Sequence, residues 1–101
     1  MKPFSILVIG RNKEIHSIVL RIINKDERWQ AQGALTDEEA IELFSTNAFD
    51  MVLLGSGISE TSEALLRATF LRQNPTIAII QHYGGGSGLL YNEILEVYNK
   101  R

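Results

Sequence analysis

Two runs of the chain are apolar almost throughout and lack the alternation that is typical of a half-exposed strand. They cover residues 4–9 and 49–54, and Gly10 and Gly55 follow them directly. Short apolar runs that end at a glycine indicate strands buried on both faces, as in the interior of a parallel sheet. We therefore expect residues 49–54 to form the middle strand of the fold and residues 4–9 a second interior strand.

Two further segments have strand character. The first alternates between two sets of side chains, Trp29, Ala31, Gly33 and Leu35 on one side and Gln30, Gln32 and Ala34 on the other. This pattern predicts a strand at a sheet edge with one face in solvent. Residues 76–80 form a β-branched run after Pro75 and predict a fourth strand.

Segments with apolar residues at helical spacing lie between these strands. Asn12 is placed to cap a helix over residues 13–25, and Thr36 with Glu39 forms a capping box before a helix that ends near Asn47. Serine and threonine caps begin a helix over residues 59–74, which Pro75 closes, and a last helix covers residues 89–100. Strands that are separated by one helix are parallel and joined by right-handed crossovers. The pattern therefore predicts an α/β fold with four parallel strands in the order 2-1-3-4 and helices on both faces.

Composition limits what such a fold can do. The chain has 101 residues, which is the size of one domain covering residues 1–101, and a net charge of -2. This charge does not indicate a nucleic-acid surface, so protein partners are expected. The absence of cysteine excludes disulfides and thiolate chemistry. The first residues resemble neither a signal peptide nor a membrane span, and we expect no membrane association and a cytoplasmic location.

Three segments at these strand ends resemble the CheY-like receiver domains of two-component response regulators. Residues 5–12 are similar to the first receiver strand with its acidic pair, residues 49–55 to the strand that ends in the phosphoacceptor aspartate, and residues 76–84 to the strand that ends in threonine and alanine. The resemblance implies a flavodoxin-like, three-layer α/β/α fold in signal transduction. It covers residues 4–84, and the family's fifth strand has no counterpart. Residues 89–95 look more like the family's last helix than its fourth.

The functional positions depart from that family. By the resemblance, Gly10 and Arg11 replace the acids that hold magnesium, Gly55 replaces the phosphoacceptor and Gln81 replaces the switch threonine. Acyl-phosphate chemistry needs a carboxylate beside a cation with oxygen ligands. Asp50 lies at the other end of its strand, roughly 16 Å away at ~3.3 Å per residue. We therefore expect no enzyme activity, no cofactor and no magnesium, with Arg11 and Lys13 placing positive charge where the cation would sit.

Other polar residues allow alternative interpretations. His16 is expected to be a hydrogen-bonded helix residue, and no acid is predicted within reach of His82, so neither histidine makes a metal site. Ser56 and Ser87 lack the base and acid of a catalytic triad. A ligand or anion loop at the carboxyl edge of the sheet is one alternative, because glycine-rich turns before a helix attract anions, although a flexible splice explains the same glycines. Its residues are Arg11, Lys13, Ser56, His82, Gly84, Gly85, Gly86 and Ser87.

A second resemblance points to a different class of function. Residues 14–16, 54–58 and 84–85 are similar to the ligand-binding pattern of cobalamin-binding domains, but Glu14 and Val19 stand where that pattern has aspartate and glycine. The main hypothesis is a receiver-like domain that cannot be phosphorylated and acts by binding a protein. Without a fifth strand, the fourth strand becomes an edge that favours pairing with another chain. We predict a homodimer or partner interface of Ile77, Ile79, Tyr83, Leu89, Tyr91 and Tyr98.

Overall fold

The computed structural model describes residues 3–82 and 87–100, which form four strands and four helices. The strands are β1 (Phe4–Ile9), β2 (Trp29–Ala34), β3 (Met51–Leu54) and β4 (Ala78–Gln81). The helices are α1 (Lys13–Asn24), α2 (Asp37–Thr46), α3 (Glu60–Gln73) and α4 (Ser87–Lys100). Strands and helices alternate along the chain, as the sequence pattern predicts.

The four strands form one parallel sheet in the order β2-β1-β3-β4, which confirms the predicted topology. Val8 is paired with Gly33 on one side and with Leu53 on the other. Every residue of β1 and β3 is buried, whereas β4 is only half-buried along its length. The two continuous apolar runs are therefore the interior strands, and the alternating run lies at an edge.

The two faces of the sheet carry different helices. Ile9, Leu54 and Phe70 belong to a core cluster on the face covered by α2 and α3. Phe4, Ile23 and Ile94 belong to the cluster on the opposite face, where α1 and α4 pack. A helix that led by a right-handed crossover to a strand beyond β4 would lie on the face of α2 and α3. Since α4 lies on the face of α1, it corresponds to a terminal helix, as the sequence resemblance indicates.

Side-chain caps set where the helices begin. The Oδ1 atom of Asn12 accepts hydrogen bonds from the amides of Glu14 and Ile15, each at 3.0 Å. Thr36 accepts from the Glu39 amide at 3.2 Å. The carboxylate of Glu39 accepts from Leu35 N at 2.8 Å and so reaches one residue further back than a capping box requires. These bonds satisfy amide groups that a helix terminus otherwise leaves unpaired.

Some predicted boundaries are wrong by two residues. The strand predicted at residues 49–54 begins at Met51, because the side chain of Asp50 takes part in the pairing with Ser5. The Ser5 amide donates to Asp50 Oδ2, and the Asp50 amide donates to the Ser5 carbonyl. The fourth strand covers Ala78–Gln81 instead of residues 76–80. The last helix begins at Ser87, two residues before the expected start. The predicted break at residues 84–88 is therefore shorter, and residues 83–86 lie outside the described part of the chain.

An aromatic cluster holds α4 at the amino edge of the sheet, which is formed by the amino-terminal ends of the strands. The Trp29 ring lies 5.1 Å from the ring of Tyr91 and 6.2 Å from that of Tyr98, and Tyr98 meets Phe4 edge to face at 5.3 Å. The guanidinium of Arg28 lies 5.1 Å from the Trp29 ring centre and 5.3 Å from that of Tyr98. It also donates to Tyr91 Oη at 2.9 Å and to both carboxylate oxygens of Asp26. The hydrogen bonds with Arg28 lower the pKa of Asp26.

Candidate functional site

The ends of β1, β3 and β4 meet at the carboxyl edge of the sheet, where an open α/β fold places its ligands. Backbone hydrogen bonds continue past the strands at this edge. Gly10 N donates to Ala34 O at 3.1 Å, Gly55 N to Ile9 O at 2.6 Å, and His82 N to Leu54 O at 2.8 Å. Gly10 and Gly55 therefore belong to the rigid sheet framework.

Gly55 lies tightly against the backbone of β1. A Cβ atom built on it would lie 3.0 Å from Ile9 O and 3.7 Å from the Cα of Gly10. The backbone of Gly55 is not in the left-handed region, so proximity to β1 is what restricts this position. A side chain at residue 55 would require the Ile9 carbonyl, which belongs to a tightly packed interior strand, to move by a few tenths of an ångström. The backbone of β1 thus leaves little room at the position that the receiver resemblance assigns to the phosphoacceptor.

The side chain of Arg11 bonds to the loop before α2 and to α2 itself, and through Asp37 it is linked to α3. Its Nη1 donates to Leu35 O at 3.0 Å, and its Nη2 forms an ion pair with the carboxylate of Asp37. Asp37 also accepts from the Ser62 hydroxyl at 2.7 Å. Burial acts to raise the pKa of Asp37, but hydrogen bonds from Arg11 and Ser62 and the arginine charge outweigh it and lower that pKa. Arg11 is therefore not a free positive charge at this edge, which corrects the expectation from the sequence.

The other residues predicted for the phosphorylation site are spread along the edge. Gln81 ends β4, half-buried, and is paired with Leu54. Lys13 begins α1 and is exposed, and Ser56 is exposed with its carbonyl accepting from Arg11 N at 3.3 Å. Within residues 3–82 and 87–100, no three histidine, aspartate or glutamate side chains are grouped so that they could hold a metal ion. The described edge thus offers amide groups and glycines instead of a cluster of carboxylates.

His82 has an acidic partner that the sequence interpretation missed. Its Nδ1 lies 2.5 Å from Glu93 Oε1, and the histidine side chain is only 10% exposed. Because a carboxylate accepts hydrogen bonds, Nδ1 carries the proton in this pair. Glu93 lies in α4, eleven residues further along the chain, and it reaches His82 only because α4 folds back over the sheet. The pair links the carboxyl end of β4 to the last helix.

His16 is buried beside the backbone of β2. Its Nε2 lies 3.0 Å from Val8 O, so the ring donates to that carbonyl. A Cβ atom on Gly33 would lie 2.2 Å from Cε1 of this ring, so glycine at residue 33 makes space for the imidazole. The expectation that His16 is a hydrogen-bonded helix residue agrees with this geometry. The need for glycine opposite it in β2 was missed, because no pattern in the sequence connects the two positions.

The predicted ligand loop lies mostly beyond what the structure describes. Gly84, Gly85 and Gly86 fall outside the described residues, and Ser87 begins α4. Of the charged members, Arg11 is already bonded to Asp37, and Lys13 lies on the exposed first turn of α1. No single anion site of the predicted composition can be assembled from the described part of this loop.

The predicted interface residues do not form one surface, which corrects the sequence interpretation. Ile77 is 7% exposed and belongs to the core, and Ile79 packs against the α2 and α3 face from β4. Tyr91 and Tyr98 contact Trp29 in β2, which is the outer strand on the side of the sheet away from β4. Tyr83 lies outside the described residues. Leu89, at 51% exposed, is free to meet a partner, whereas Tyr91 is exposed only in part, at 39%.

Comparisons with known proteins agree with this architecture. A scan against protein-family models found no match, and no curated protein matched the chain in sequence. The structure search found the non-phosphorylated receiver domain of HemR from Leptospira biflexa, with a TM-score of 0.67 and 19% identity over 95% of this chain and 76% of the other. Among the described residues, no helix combines the length and apolar character needed to cross a bilayer.

Two bacterial pilus proteins are similar as well. A putative pilus assembly-related protein from Burkholderia pseudomallei has a TM-score of 0.61 and 15% identity over 86% of this chain and 68% of its own. A putative pilus assembly protein, CpaE, from Burkholderia thailandensis has a TM-score of 0.60 and 15% identity over 93% of this chain and 79% of its own. With its strand order, its two helical layers and these similarities, the chain has the CheY-like receiver fold, built on four strands.

Proposed function

We propose that this chain is a receiver-like domain that takes no phosphoryl group and acts in signalling or regulation by binding protein. The observation that carries the proposal is the glycine at residue 55, where an added Cβ atom would lie tightly against the Ile9 carbonyl, at 3.0 Å. An aspartyl nucleophile at this position needs both a carboxylate and space beside it for a cation and a phosphoryl group. The fold keeps the receiver framework, but residue 55 carries no carboxylate, and the Ile9 carbonyl leaves little room for a side chain there.

The close approach of β1 and β3 at Gly55 supports the loss of phosphoryl transfer more strongly than the absence of an aspartate there does by itself. A receiver that had lost only its aspartate would keep an open acidic pocket into which a cation still fits. Here Gly55 N bonds to Ile9 O at 2.6 Å, and Arg11 is paired with Asp37 at the start of α2. The proposal therefore includes the absence of magnesium binding and of enzyme activity.

Several surface features support binding to protein. Three aliphatic side chains on α1 and α4 are about half exposed and offer apolar surface to a partner: Ile15, Ile18 and Leu89. In the described sheet, β4 pairs only with β3, so its outer edge is open to another strand. Two of the similar structures are named pilus assembly proteins, which supports a role of this fold within protein assemblies. The alternative of an anion or corrinoid ligand is not favoured, because Arg11 is already paired.

Intact-mass spectrometry tests the first half of the proposal. After incubation with acetyl phosphate and magnesium, the mass of the chain is expected to stay unchanged, because no carboxylate lies where the phosphoryl group would arrive. A receiver domain that is known to accept phosphate serves as the positive control under the same conditions. An added mass of one phosphoryl group on this chain would contradict the proposal.

Light scattering at micromolar concentration tests the second half. We expect a homodimer through the β4 edge, with twice the monomer mass of 11.3 kDa. Ile79→Lys in β4 is expected to return the chain to a monomer, and because Ile79 packs on the α2 and α3 face, circular dichroism and urea unfolding must show that the variant stays folded. Leu65→Lys, on the surface of α3, is the matched control and should leave the dimer intact. A parent chain that is already monomeric would limit the protein-binding role to other partners, to be sought by crosslinking.

A further inference from the structure

A pocket of about 290 Å³ lies between α1 and α4, next to the carboxyl edge. Val8 and Leu53, which are paired neighbours in β1 and β3, form its floor, and Leu90 of α4 contributes to one wall. These three side chains are at most 2% exposed, so the pocket reaches the core of the domain. The opposite wall is an aliphatic stripe on α1 that consists of Ile15, Ile18, Val19 and Ile22.

The exposure of this stripe is high for a helix that covers a sheet. Its residues recur three and four positions apart, which places them on one side of α1. His16 and Ile23 are the buried residues of α1, whereas Ile15 and Ile18 are 50% and 51% exposed at the pocket mouth. The last helix is held at the amino edge through Tyr98 and Trp29. Apolar surface of α1 therefore remains beside an open space.

One polar group in the pocket lacks a partner. The ring of His82 lines the pocket, and the residue is 9% exposed. Its Nδ1 is bonded to Glu93, so in the neutral ring Nε2 is a hydrogen-bond acceptor. No hydrogen bond to Nε2 occurs within the described residues, whereas the other pocket histidine, His16, bonds to Val8 O. Nε2 is not among the buried atoms that lack a partner, so water can reach it, and a ligand hydroxyl would replace that water.

We propose that this pocket binds a small, uncharged, largely apolar molecule that carries one hydroxyl, such as a phenol or an aliphatic alcohol. Eight of its lining residues are aliphatic, and none carries a carboxylate, ammonium or guanidinium group. Burial of a charged ligand without a counter-ion would be strongly unfavourable. The hydroxyl donates to His82 Nε2, and the apolar body contacts the floor and the α1 stripe.

The volume of the pocket limits the size of the ligand. A dry cavity of about 150 Å³ lined by similar side chains holds one benzene, so 290 Å³ suits a molecule of two fused rings or an equivalent aliphatic chain. One turn of a partner helix, about 5.4 Å long and about 10 Å across, occupies roughly 420 Å³ and does not fit. The pocket shares Ile15 and Ile18 with the exposed aliphatic surface and Ser56 and His82 with the predicted ligand loop, but Arg11 and Lys13, the charged members of that loop, do not line it.

Binding of 2-naphthol tests the proposal, with its methyl ether as the matched probe that cannot donate a hydrogen bond. Titration followed by amide NMR is expected to shift the signals of Gly10 and Gly55, with a dissociation constant below about 1 mM. The ether is expected to bind at least about threefold more weakly, and His82→Phe should remove this difference. Val19→Phe fills the pocket and should weaken binding about tenfold or more, whereas Leu65→Phe on α3 should leave it unchanged.

Each alternative outcome would contradict the proposal. Shifts confined to β4 or α3, or equal affinity for the Val19→Phe variant with an intact fold, would place the probe elsewhere. If neither probe binds, but Val19→Phe abolishes capture of a protein partner, the pocket receives a side chain of that partner and the small-molecule proposal is wrong. Equal affinity for the two probes would overturn the role of His82. None of these results depends on whether the chain accepts phosphate.

Discussion

At the amino edge of the sheet, aromatic side chains and an arginine pack against one another, whereas at the carboxyl edge the backbones of β1 and β3 lie in close contact. Trp29, Tyr91 and Tyr98 form one aromatic cluster at the amino edge, and Arg28 lies against its rings. At the other edge, Gly55 lies against the Ile9 carbonyl, and the side chain of Arg11 turns away. The large aromatic contacts thus lie at the edge that has no part in receiver chemistry.

This difference explains how the last helix is attached. Tyr98, in the last part of α4, packs against Phe4 and Trp29. Nearer its start, the helix is tied to the sheet by the His82 and Glu93 pair. Large aromatic contacts contribute more to stability than one hydrogen bond does. The amino edge therefore fixes α4, and the space beside α1 stays open at the carboxyl edge, where function is proposed.

Removal of the central ring at the amino edge is expected to have the largest effect. Trp29 is 4% exposed and contacts both tyrosines of α4, so Trp29→Ala should lower the free energy of unfolding by about 3–5 kcal/mol. Urea unfolding measures this loss. Leu65→Ala, at an exposed position of α3, should change stability by less than about 0.5 kcal/mol.

A second variant separates ring packing from hydrogen bonding. The indole Nε1 of Trp29 is buried and has no hydrogen-bond partner within the described residues. Trp29→Phe removes this unbonded donor together with some contact area, so its destabilisation should stay below about 2 kcal/mol. A loss as large as that of Trp29→Ala would show that the indole nitrogen has a partner and would weaken the contrast between the two edges.

Addition of one carbon at the carboxyl edge is expected to have the next largest effect. Gly55→Ala places its Cβ 3.0 Å from Ile9 O, and the displaced strand should cost about 1–2 kcal/mol of the free energy of unfolding. Gly88→Ala is the matched control, because nothing lies within 4 Å of its added carbon. Gly88 lies in α4, so this control should gain about 0.5–1 kcal/mol. A stable Gly55→Ala variant would mean that residue 55 has room for a side chain.

The smallest expected effect concerns the arginine that turns away from the edge. Asp37→Asn removes the partner of Arg11 and should cost about 1 kcal/mol at neutral pH. The folded state lowers the pKa of Asp37, so its contribution is present above the unfolded value of 3.8 and is lost as the pH falls below that value. Urea midpoints from pH 7 to pH 2 should therefore converge for parent and variant.

Glu38→Gln provides the control for this pH dependence. Glu38 is an exposed carboxylate in the same first turn of α2, so its removal changes the net charge and the helix terminus equally. Its effect on stability should be a few tenths of a kcal/mol. If this variant reproduced the behaviour of Asp37→Asn, the charge at the helix terminus, and not the bond to Arg11, would be responsible.

Much of the fold could be predicted from local pattern. The apolar runs before Gly10 and Gly55 identified the two interior strands, and the alternation after Trp29 identified an edge strand. The site was less accessible to prediction. The bond between His82 and Glu93, the fit of His16 beside Gly33 and the rotation of Arg11 toward Asp37 join elements far apart in sequence. No spacing rule relates such residues, because their distances depend on how helices dock.

By itself, the sequence determined the order of the elements, the parallel sheet and the absence of an acid at the expected phosphorylation positions, since all of these follow from periodicity and residue type. Tertiary structure alone decided which face α4 covers and where its tyrosines pack. It also decided that Ile9 O leaves little room at residue 55 and that a pocket remains beside α1. Packing at helix ends and between strands involves differences of about one ångström, and a one-dimensional pattern of polar and apolar residues does not encode them.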